Sequence, residues 1–245
     1  MSFAAVARGE WSVVSAQSEF STSNRVEHRH IAVRSAGGAD GTLDLALFSA
    51  KVAALRVIDN ADGNDELGRA MLRENCVAGV NGGYFDPGFA PIGLRVIDGA
   101  VTSPLLRARL LTGVLSASRE RGVDIVRIGE FSRKRKLDAA VECGPFVVDL
   151  AMRVRGLNDT RSARRTFAAV SRDGKAAVGF CDYVTLAQLG DILTSAQVAG
   201  EFRVWRAMNL DGGSSSAFWF RRADGSAFSI GEQKNVRDFI GVAPR

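Results

Sequence analysis

The sequence predicts an α+β fold in which strand-rich mixed sheets pack with a few helices in a single domain. Short apolar runs alternate with turns in a chain that has 26 glycines and only 5 prolines, a pattern typical of many short strands. No linker or shift in composition divides the 245 residues, and 46% hydrophobic content is enough for one sizeable core. We expect residues 1–54 to add N-terminal strands to the same domain as residues 55–245.

The N-terminal part of the chain has apolar runs of strand length. Strands are predicted at residues 11–14, 26–33, 42–48 and 55–58. His28 and His30 lie two residues apart and therefore on one face of the second strand. Such a pair can bind a metal if carboxylates or thiols from elsewhere complete the site, but the chain has only these 2 histidines. Exposed strand histidines are the simpler interpretation.

The rest of the chain continues the series of short elements. Asp98-Gly99 and Asp173-Gly174 are turn signals between apolar runs and predict hairpins. Thr185 and Gln188 form a capping box that opens an amphipathic helix. The further predictions are a helix at 66–75, strands at 76–80, 110–116, 123–128, 166–170, 176–180, 204–208 and 236–242, an apolar stretch with a Gly-Pro break at 139–148, and a polar loop at 153–165.

Charge and cysteine content restrict the function classes. The net charge is +5 and the sequence pI about 9.5, so the surface attracts anions such as nucleic acids, sugar phosphates or anionic cell-wall polymers. The basic run at 133–136 has no interleaved aromatic residues, which favours a solvated loop over a nucleic-acid site. Cys76, Cys143 and Cys181 allow one bridge and a free thiol, or three free thiols. Residues 2–7 are too short an apolar run for a signal peptide, and no transmembrane helix is predicted.

Two polar stretches follow predicted buried strands and contain the residues best suited to chemistry. One is Asn209-Leu210-Asp211-Gly212-Gly213-Ser214-Ser215, and the other is Asn81-Gly82-Gly83-Tyr84-Phe85. Glycines let backbone N–H groups approach a ligand, and a carboxylate such as Asp211 can accept a proton or bind a cation. The alternative for the first stretch is an Asp-Gly-Gly turn that joins two strands of a hairpin. We expect the two stretches to meet in one pocket.

These motifs, in this order, resemble the phosphodiester glycosidase family from about Leu55 onward. The resemblance also includes Pro91 to Leu94, Gly144-Pro145, Arg165-Thr166-Phe167, and Asp182 with the helix after it. Ser214 stands where the family usually has a third glycine, and Phe167 where it has a small residue. The resemblance implies an α+β fold and hydrolysis of the bond between a sugar's anomeric carbon and a phosphodiester oxygen. It also favours a secreted or periplasmic protein whose leader is absent from this chain, with a cytoplasmic location as the alternative.

The reaction assigns roles to residue types. A phosphate leaving group needs positive charge, from Arg165, with Arg164 or a Gly-Gly N–H nest as helpers. The sugar side needs a carboxylate as nucleophile or base, for which Asp211 is the first candidate. The candidate catalytic residues are Asp211, Arg165, Asp182 and Glu142, and the candidate substrate-binding residues are Asn81, Gly82, Gly83, Tyr84, Asn209, Gly212, Gly213, Ser214 and Ser215.

Cofactor and rival functions complete the prediction. The residues assign no definite cofactor, and a divalent cation that bridges Asp211 and the phosphate is an open alternative. The expected partner is a phosphorylated glycan or sugar phosphate, with no nucleic acid and no membrane span. The rivals are a non-catalytic binding module for anionic glycans and a phosphodiesterase that cuts the P–O bond of the same substrates.

Overall fold

Strands make up most of the regular structure in the computed structural model, which describes residues 11–23, 25–195, 198 and 201–245. The apolar run at residues 2–7 lies outside these residues. The strands are β1 (Trp11–Phe20), β2 (Val26–Ser35), β3 (Asp40–Ser49), β4 (Ala53–Asp59), β5 (Ala78–Asn81), β6 (Arg95–Ile97), β7 (Ala100–Ser103), β8 (Gly113–Ser118), β9 (Gly122–Arg127), β10 (Ala139–Cys143), β11 (Phe146–Asp149), β12 (Met152–Arg153), β13 (Ala163–Ser171), β14 (Lys175–Val184), β15 (Val204–Asn209), β16 (Phe218–Arg221), β17 (Ala227–Ile230) and β18 (Asp238–Pro244). The helices are α1 (Leu67–Arg73) and α2 (Leu186–Thr194), with 3-10 turns at Ile128–Glu130 and Gly213–Ser215.

The strands form three sheets with antiparallel pairing. The large sheet has the order β1-β2-β3-β14-β13-β15-β11-β12, the second sheet β7-β6-β10-β8-β9, and the third sheet β17-β16-β5-β18-β4. The first three strands join the large sheet because β3 pairs with β14 from Leu43↔Cys181 to Ser49↔Lys175. The predicted α+β class, with strand-rich sheets and few helices in one domain, is confirmed.

The core lies where the three sheets face one another. Its main cluster includes Phe146 of the large sheet, Val141 of the second sheet and Phe218 of the third. A second cluster packs α2 on the large sheet through Leu189 and Ile192. Burial of these apolar side chains is the main favourable contribution to folding.

Local signals in the sequence place several elements correctly. Asp98 and Gly99 both have positive φ, 47° and 84°, as the mirror-image hairpin turn between β6 and β7 requires. The capping box of α2 is present, with Gln188 N donating to Thr185 Oγ1 at 3.1 Å and Thr185 N donating to Gln188 Oε1 at 2.9 Å. The start of the amphipathic helix therefore follows from its sequence.

Two interpretations of polar side chains are wrong. The predicted loop at 153–165 ends early, because β13 begins at Ala163 and both Arg164 and Arg165 are buried. Their guanidinium groups find backbone carbonyls as acceptors, which makes burial tolerable. His28 is not an exposed strand residue but is only 2% exposed, whereas His30 is half-buried.

The three cysteines are buried free thiols, which decides between the alternatives that the sequence left open. Each belongs to a different hydrophobic cluster: Cys143 to the main cluster, Cys181 to the cluster under α2, and Cys76 to a third cluster around α1. Burial raises the pKa of all three thiols, that of Cys76 to about 12. Neither described helix has the length and apolarity that a membrane crossing requires.

Candidate functional site

Two loops that each follow a strand ending in asparagine form the centre of the candidate site. The first loop is residues 81–85 after β5, and the second loop is residues 209–216 after β15. Strand β15 belongs to the large sheet and β16 to the third sheet. The second loop therefore carries the chain from one sheet to another, and its interpretation as a simple hairpin turn is wrong.

The side chain of Asn81 joins the two loops. Its Nδ2 donates to the backbone oxygen of Asp211 at 2.7 Å, and the Asp211 N–H donates to the backbone oxygen of Gly82 at 3.1 Å. Asn81 Oδ1 accepts from Thr166 Oγ1 at 2.6 Å and from Ala217 N at 3.0 Å. Since Asn81 is fully buried and bonded to protein groups, it positions the loops relative to β13.

The first loop is tied down by Asp238 at the start of β18. Gly82 N donates to the Asp238 backbone oxygen at 2.9 Å, and Gly83 N donates to its Oδ1 at 2.8 Å. A Cβ at Gly82 would overlap that Oδ1. These N–H groups are thus already bonded to protein and do not face a phosphate. Sequence reasoning missed Asp238, although a carboxylate inside a predicted apolar strand was the available signal.

Burial of Asp238 is reflected in its titration. Desolvation raises the pKa of this carboxyl, against the opposing effects of the Gly83 N–H and of Arg95. Arg95 Nη1 lies 3.4 Å from Asp238 Oδ2 and 2.9 Å from Asp59 Oδ1. Asp238 therefore links the first loop to an ion-pair network between the second and third sheets.

Asp211 lies half-buried at the start of the second loop. Burial raises the pKa of its carboxyl, and the Ser215 hydroxyl, Lys234 and the Gly212 N–H oppose the rise. Ser215 Oγ is close to this carboxylate but makes no hydrogen bond of standard geometry. Lys234 was missed from the sequence; its Nζ lies 4.8 Å from the centroid of the Phe85 ring.

Arg165 provides a buried cation beside the second loop. Its Nε donates to Val184 O at 2.9 Å and its Nη2 to Arg161 O at 2.6 Å. Its Nη1 is 3.9 Å from the place that a Cβ would occupy at Gly212. No ion pair formed between described residues includes Arg165. Burial lowers its pKa, but a guanidinium stays charged at neutral pH.

The hydroxyl of Tyr84 connects the first loop to Asn209 of the second loop. It donates to Gly144 O at 2.5 Å and accepts from Asn209 Nδ2 at 3.4 Å. Burial raises the pKa of Tyr84, the charge of Asp211 raises it further, and the charge of Arg165 lowers it. Asp211 and Arg165 are thus within electrostatic range of Tyr84, and we call these three residues the acid–arginine cluster.

Arg164 faces away from that cluster. Its Nη2 donates to the backbone oxygens of Ser216 and of Gly231, the latter at 2.7 Å. Its guanidinium carbon lies 5.2 Å from the centroid of the Phe180 ring. Since neighbouring residues of a strand point to opposite faces, Arg164 holds the end of the second loop while Arg165 reaches the cluster.

The outer end of the second loop is the most open part of the site. Gly213 adopts a left-handed conformation with φ of 67°, and a Cβ there would meet nothing within 4 Å. Ser214 is exposed, and its backbone oxygen accepts from Gln233 N at 2.7 Å. Asn209 is buried beneath, where its Nδ2 also contacts Gly144 O at 3.3 Å. A ligand can therefore approach Asp211 over Gly213 and Ser214.

Two predicted carboxylates lie elsewhere. Glu142 is fully buried, and its Oε2 accepts from Leu94 N at 2.7 Å and from Leu106 N at 3.0 Å, so it orders the segment after β7. Asp182 lines a surface depression together with Arg34 and Asp40. The residues that line this depression do not belong to either of the two loops. Neither carboxylate contacts the acid–arginine cluster through a described hydrogen bond or ion pair.

The metal possibility at Asp211 gains no ligand set. Among the described residues, the one group of three or more His, Cys, Asp or Glu side chains that converge closely enough to hold an ion is His28, His30 and Asp44. That group does not include Asp211. A cation at the second loop would therefore need ligands beyond a converging group of this kind.

Comparisons with known proteins agree with this fold. The profile of the phosphodiester glycosidase family matches residues 74–243. The fold is similar to the zebrafish N-acetylglucosamine-1-phosphodiester alpha-N-acetylglucosaminidase catalytic domain auto-inhibited by its pro-peptide, with a TM-score of 0.66 and 13% identity over 94% of this chain and 88% of that chain. No curated protein sequence matches the chain.

Two bacterial structures share the fold at the same low identity. A hypothetical protein from Synechocystis gives a TM-score of 0.58 at 13% identity, over 90% of this chain and 62% of that chain. A putative exported protein from Burkholderia pseudomallei gives 0.55 at 13% identity, over 84% and 74%. At this identity the similarity concerns the fold alone.

Proposed function

The chain belongs to the phosphodiester glycosidase family, and from that premise we propose that it hydrolyses the bond between the anomeric carbon of a sugar and a phosphodiester oxygen. The observation that carries this proposal is the acid–arginine cluster. A half-buried carboxylate, a phenol and a guanidinium that forms no ion pair with a described residue are brought to the junction of the two loops. A sugar-1-phosphodiester needs such a pair of opposite charges, one for each end of the bond that breaks.

Arg165 binds the phosphate in this proposal. Two of its nitrogens are held by the carbonyls of Val184 and Arg161, so the group is fixed in orientation while Nη1 points along Gly212. A planar guanidinium that is already oriented loses little entropy when it binds a phosphate oxygen. As the C–O bond breaks, its charge stabilises the departing phosphate monoester.

Asp211 acts on the sugar side. As the anomeric carbon develops positive charge, the carboxylate either attacks it directly or takes a proton from the water that does. In both cases the oxygen of water ends on the anomeric carbon, and the former bridging oxygen leaves with the phosphate. The raised pKa of Asp211 suits a base that operates in a partly desolvated site. Tyr84, whose hydroxyl is held by Gly144 and Asn209, orients the bound ester.

The remaining polar residues of the two loops have supporting parts. Asn81 positions the Asp211 backbone, and Asn209 holds Tyr84 and Gly144. Gly82 and Gly83 hold the first loop on Asp238. Gly212, Gly213 and Ser214 supply the surface over which the ligand enters, and Ser215 faces the Asp211 carboxylate. Glu142 and Asp182 have no part in bond breaking in this proposal because their contacts are with other segments.

The substrate is a phosphorylated glycan or another sugar-1-phosphodiester, and the protein acts outside the cytoplasm, in the periplasm or after secretion. The positive net charge suits an anionic polymer as substrate. A similar fold that is described as a putative exported protein supports the location. Fractionation of the native host, followed by immunodetection, tests it: recovery of the full-length protein in the cytosol alone contradicts it.

Product analysis on a panel of sugar-1-phosphodiesters, including nucleotide sugars, tests the activity. We expect free reducing sugar and a phosphate monoester. A sugar 1-phosphate as product would instead mean cleavage of the P–O bond by a phosphodiesterase. Affinity for the panel without any product would mean a binding module, and either result contradicts the proposal.

A further inference from the structure

Outside the two loops, His28, His30 and Asp44 converge in the first strands of the large sheet. His28 Nε2 lies 2.9 Å and His30 Nδ1 2.8 Å from the same oxygen, Asp44 Oδ1. The three potential ligand atoms lie within 4.8 Å of one another. The register explains the convergence, because His30 pairs with Asp44 across β2 and β3 and His28 follows on the same face.

One buried oxygen of this cluster has no hydrogen-bond partner among the described residues, and His28 faces two acceptors. Besides its contact with Asp44, His28 places Nδ1 2.9 Å from Glu19 Oε1, so both ring nitrogens face carboxylate oxygens. A neutral imidazole has only one N–H, and His28 is 2% exposed. Asp44 is fully buried, yet its Oδ2 has no hydrogen-bond partner. An unpaired buried carboxylate oxygen is costly and calls for an explanation.

We propose that His28, His30 and Asp44 bind one divalent transition-metal ion, with Zn²⁺ as the best fit. Two imidazoles and a carboxylate are a familiar ligand set for zinc. His28 then ligates through Nε2 and donates its single N–H, on Nδ1, to Glu19. The Asp44 carboxylate meets a cation instead of standing unpaired. His30, with 39% of its side chain exposed, leaves an entry path and room for a water as the fourth ligand.

The surroundings of the cluster fit a metal centre. Glu19 orients His28 and is itself held by Arg222, whose Nε donates to Glu19 Oε2 at 2.9 Å. A carboxylate on the non-ligating nitrogen fixes the tautomer and raises the basicity of a histidine ligand. The rings of Phe220 and Phe228 lie 5.0 and 4.7 Å from that of His28, which keeps the inner side dry.

A metal ion at this site would stabilise the contact between two parts of the fold. Its ligands belong to β2 and β3 of the large sheet, whereas Phe220, Arg222 and Phe228 belong to the hairpin around β16 and β17 of the third sheet. A bound ion stabilises the folded state in proportion to its preference for that state over the unfolded chain. Its removal should therefore lower the melting temperature without changing the residues of the two loops.

Zinc binding to the full chain, prepared without a polyhistidine tag and treated with EDTA, tests the proposal. We expect isothermal titration and elemental analysis to give one equivalent of Zn²⁺ per chain. We expect thermal unfolding to give a higher Tm with Zn²⁺ than without it. His30→Asn should lose both, and Arg29→Gln, which removes a neighbouring side chain bonded to Glu27, should keep both. Glu19→Gln should keep the stoichiometry but bind roughly 10–100-fold more weakly, as expected for a residue that orients a ligand.

Absence of uptake above that of the His30→Asn variant would overturn the proposal. The half-exposed His30 makes this variant the safer one if His28→Asn fails to fold. Imidazole nitrogen NMR gives a second readout, because the chain has only 2 histidines. A ligating His28 has one bare, metal-shifted nitrogen. Two protonated nitrogens on His28 in the presence of Zn²⁺ would mean an imidazolium between two carboxylates and no metal site.

Discussion

The two loops at the candidate site start from similar sequences and end in different states. In the first loop, the N–H groups of Gly82 and Gly83 are both bonded to Asp238, and a side chain at Gly82 has no room. In the second loop, Gly213 borders open space and Asp211 forms no described ion pair. The comparison teaches that the same motif, an asparagine followed by glycines, can have two roles. Where protein groups accept hydrogen bonds from the glycine N–H groups, the motif is structural. Where they do not, it can form a ligand site.

The largest expected effect comes from removing the charge in the second loop. Asp211→Asn keeps the size of the side chain but cannot act as nucleophile or base, so we expect kcat to fall by about 10²–10⁴-fold. Because burial raises the pKa of Asp211, its ionised form costs stability, which is lost as pH rises through that pKa. The amide should thus melt at the same temperature or slightly higher at neutral pH. Kinetics with scanning calorimetry measure both, and activity close to that of the parent would remove Asp211 from the chemistry.

Arg165→Lys is expected to have the next largest effect. Lysine keeps the charge but not the planar fork, and loss of one charged hydrogen bond of about 1.5–3 kcal/mol lowers kcat/KM by about 10–100-fold. Arg164→Lys is the matched control on the other face of β13. It should lower the Tm through its lost contacts to Ser216 and Gly231 and affect kcat/KM less. If Arg165→Lys and Arg164→Lys lower kcat/KM by the same factor, the two faces of β13 do not differ in their contribution to activity.

In the first loop, a substitution should act on stability. Gly82→Ala forces a Cβ against Asp238, and overpacking of this kind costs about 1–3 kcal/mol of unfolding free energy. Gly129→Ala is the control, since a Cβ there meets nothing within 4 Å, and it should stay within about 0.5 kcal/mol of the parent. Urea denaturation compares them; equal stability of Gly82→Ala and the control would mean that the first loop is not held tightly.

Gly213→Ala should cost less than Gly82→Ala. The only penalty is the left-handed backbone conformation, about 1 kcal/mol, because the added methyl group meets open space. The same urea denaturation experiment measures it. A loss as large as that of Gly82→Ala would contradict the picture of an open second loop and a closed first one.

The smallest expected effect concerns pH. Because burial raises the pKa of Asp211 above its ordinary value of 3.8, kcat/KM should fall, as pH is lowered, at a higher pH than an ordinary aspartate gives. Lys234→Gln removes a cation that lowers this pKa, so the acid limb should move further up. Lys234 is exposed, and added salt should shrink the difference. If the acid limb of kcat/KM lies at the same pH in the parent and in Lys234→Gln, at low and at high salt, it does not report the ionisation of Asp211.

Much of the fold follows from local patterns, whereas the site depends on contacts between distant residues. The Asp98-Gly99 turn and the Thr185 cap are decided within a few residues, so the sequence predicts them. The bond from Asn81 to Asp211 spans 130 positions, and the sequence offers only one reason to expect that the loops meet, namely that both polar stretches follow predicted buried strands. Lys234 has no local signature, and the place of Asp238 in a predicted apolar strand signals a buried carboxylate without showing that it holds the first loop.

Burial of polar groups was the other source of error. Arg164 and Arg165 looked like loop residues because arginine is mostly exposed. Their burial depends on carbonyls at Ser216, Gly231 and Val184 that no local pattern reveals. His28 is buried for a similar reason, since Asp44 and Glu19 arrive from neighbouring strands.

The three buried thiols can report separately on local opening in three parts of the protein. Only the thiolate reacts with alkylating reagents, and the raised pKa values keep Cys76, Cys143 and Cys181 inert while their surroundings stay closed. Each thiol occupies a different hydrophobic cluster, so the labelling rate of each reports how often that cluster opens. Mass spectrometry of the labelled peptides would therefore give separate opening rates for the α1 side, the main core and the α2 side of the native chain.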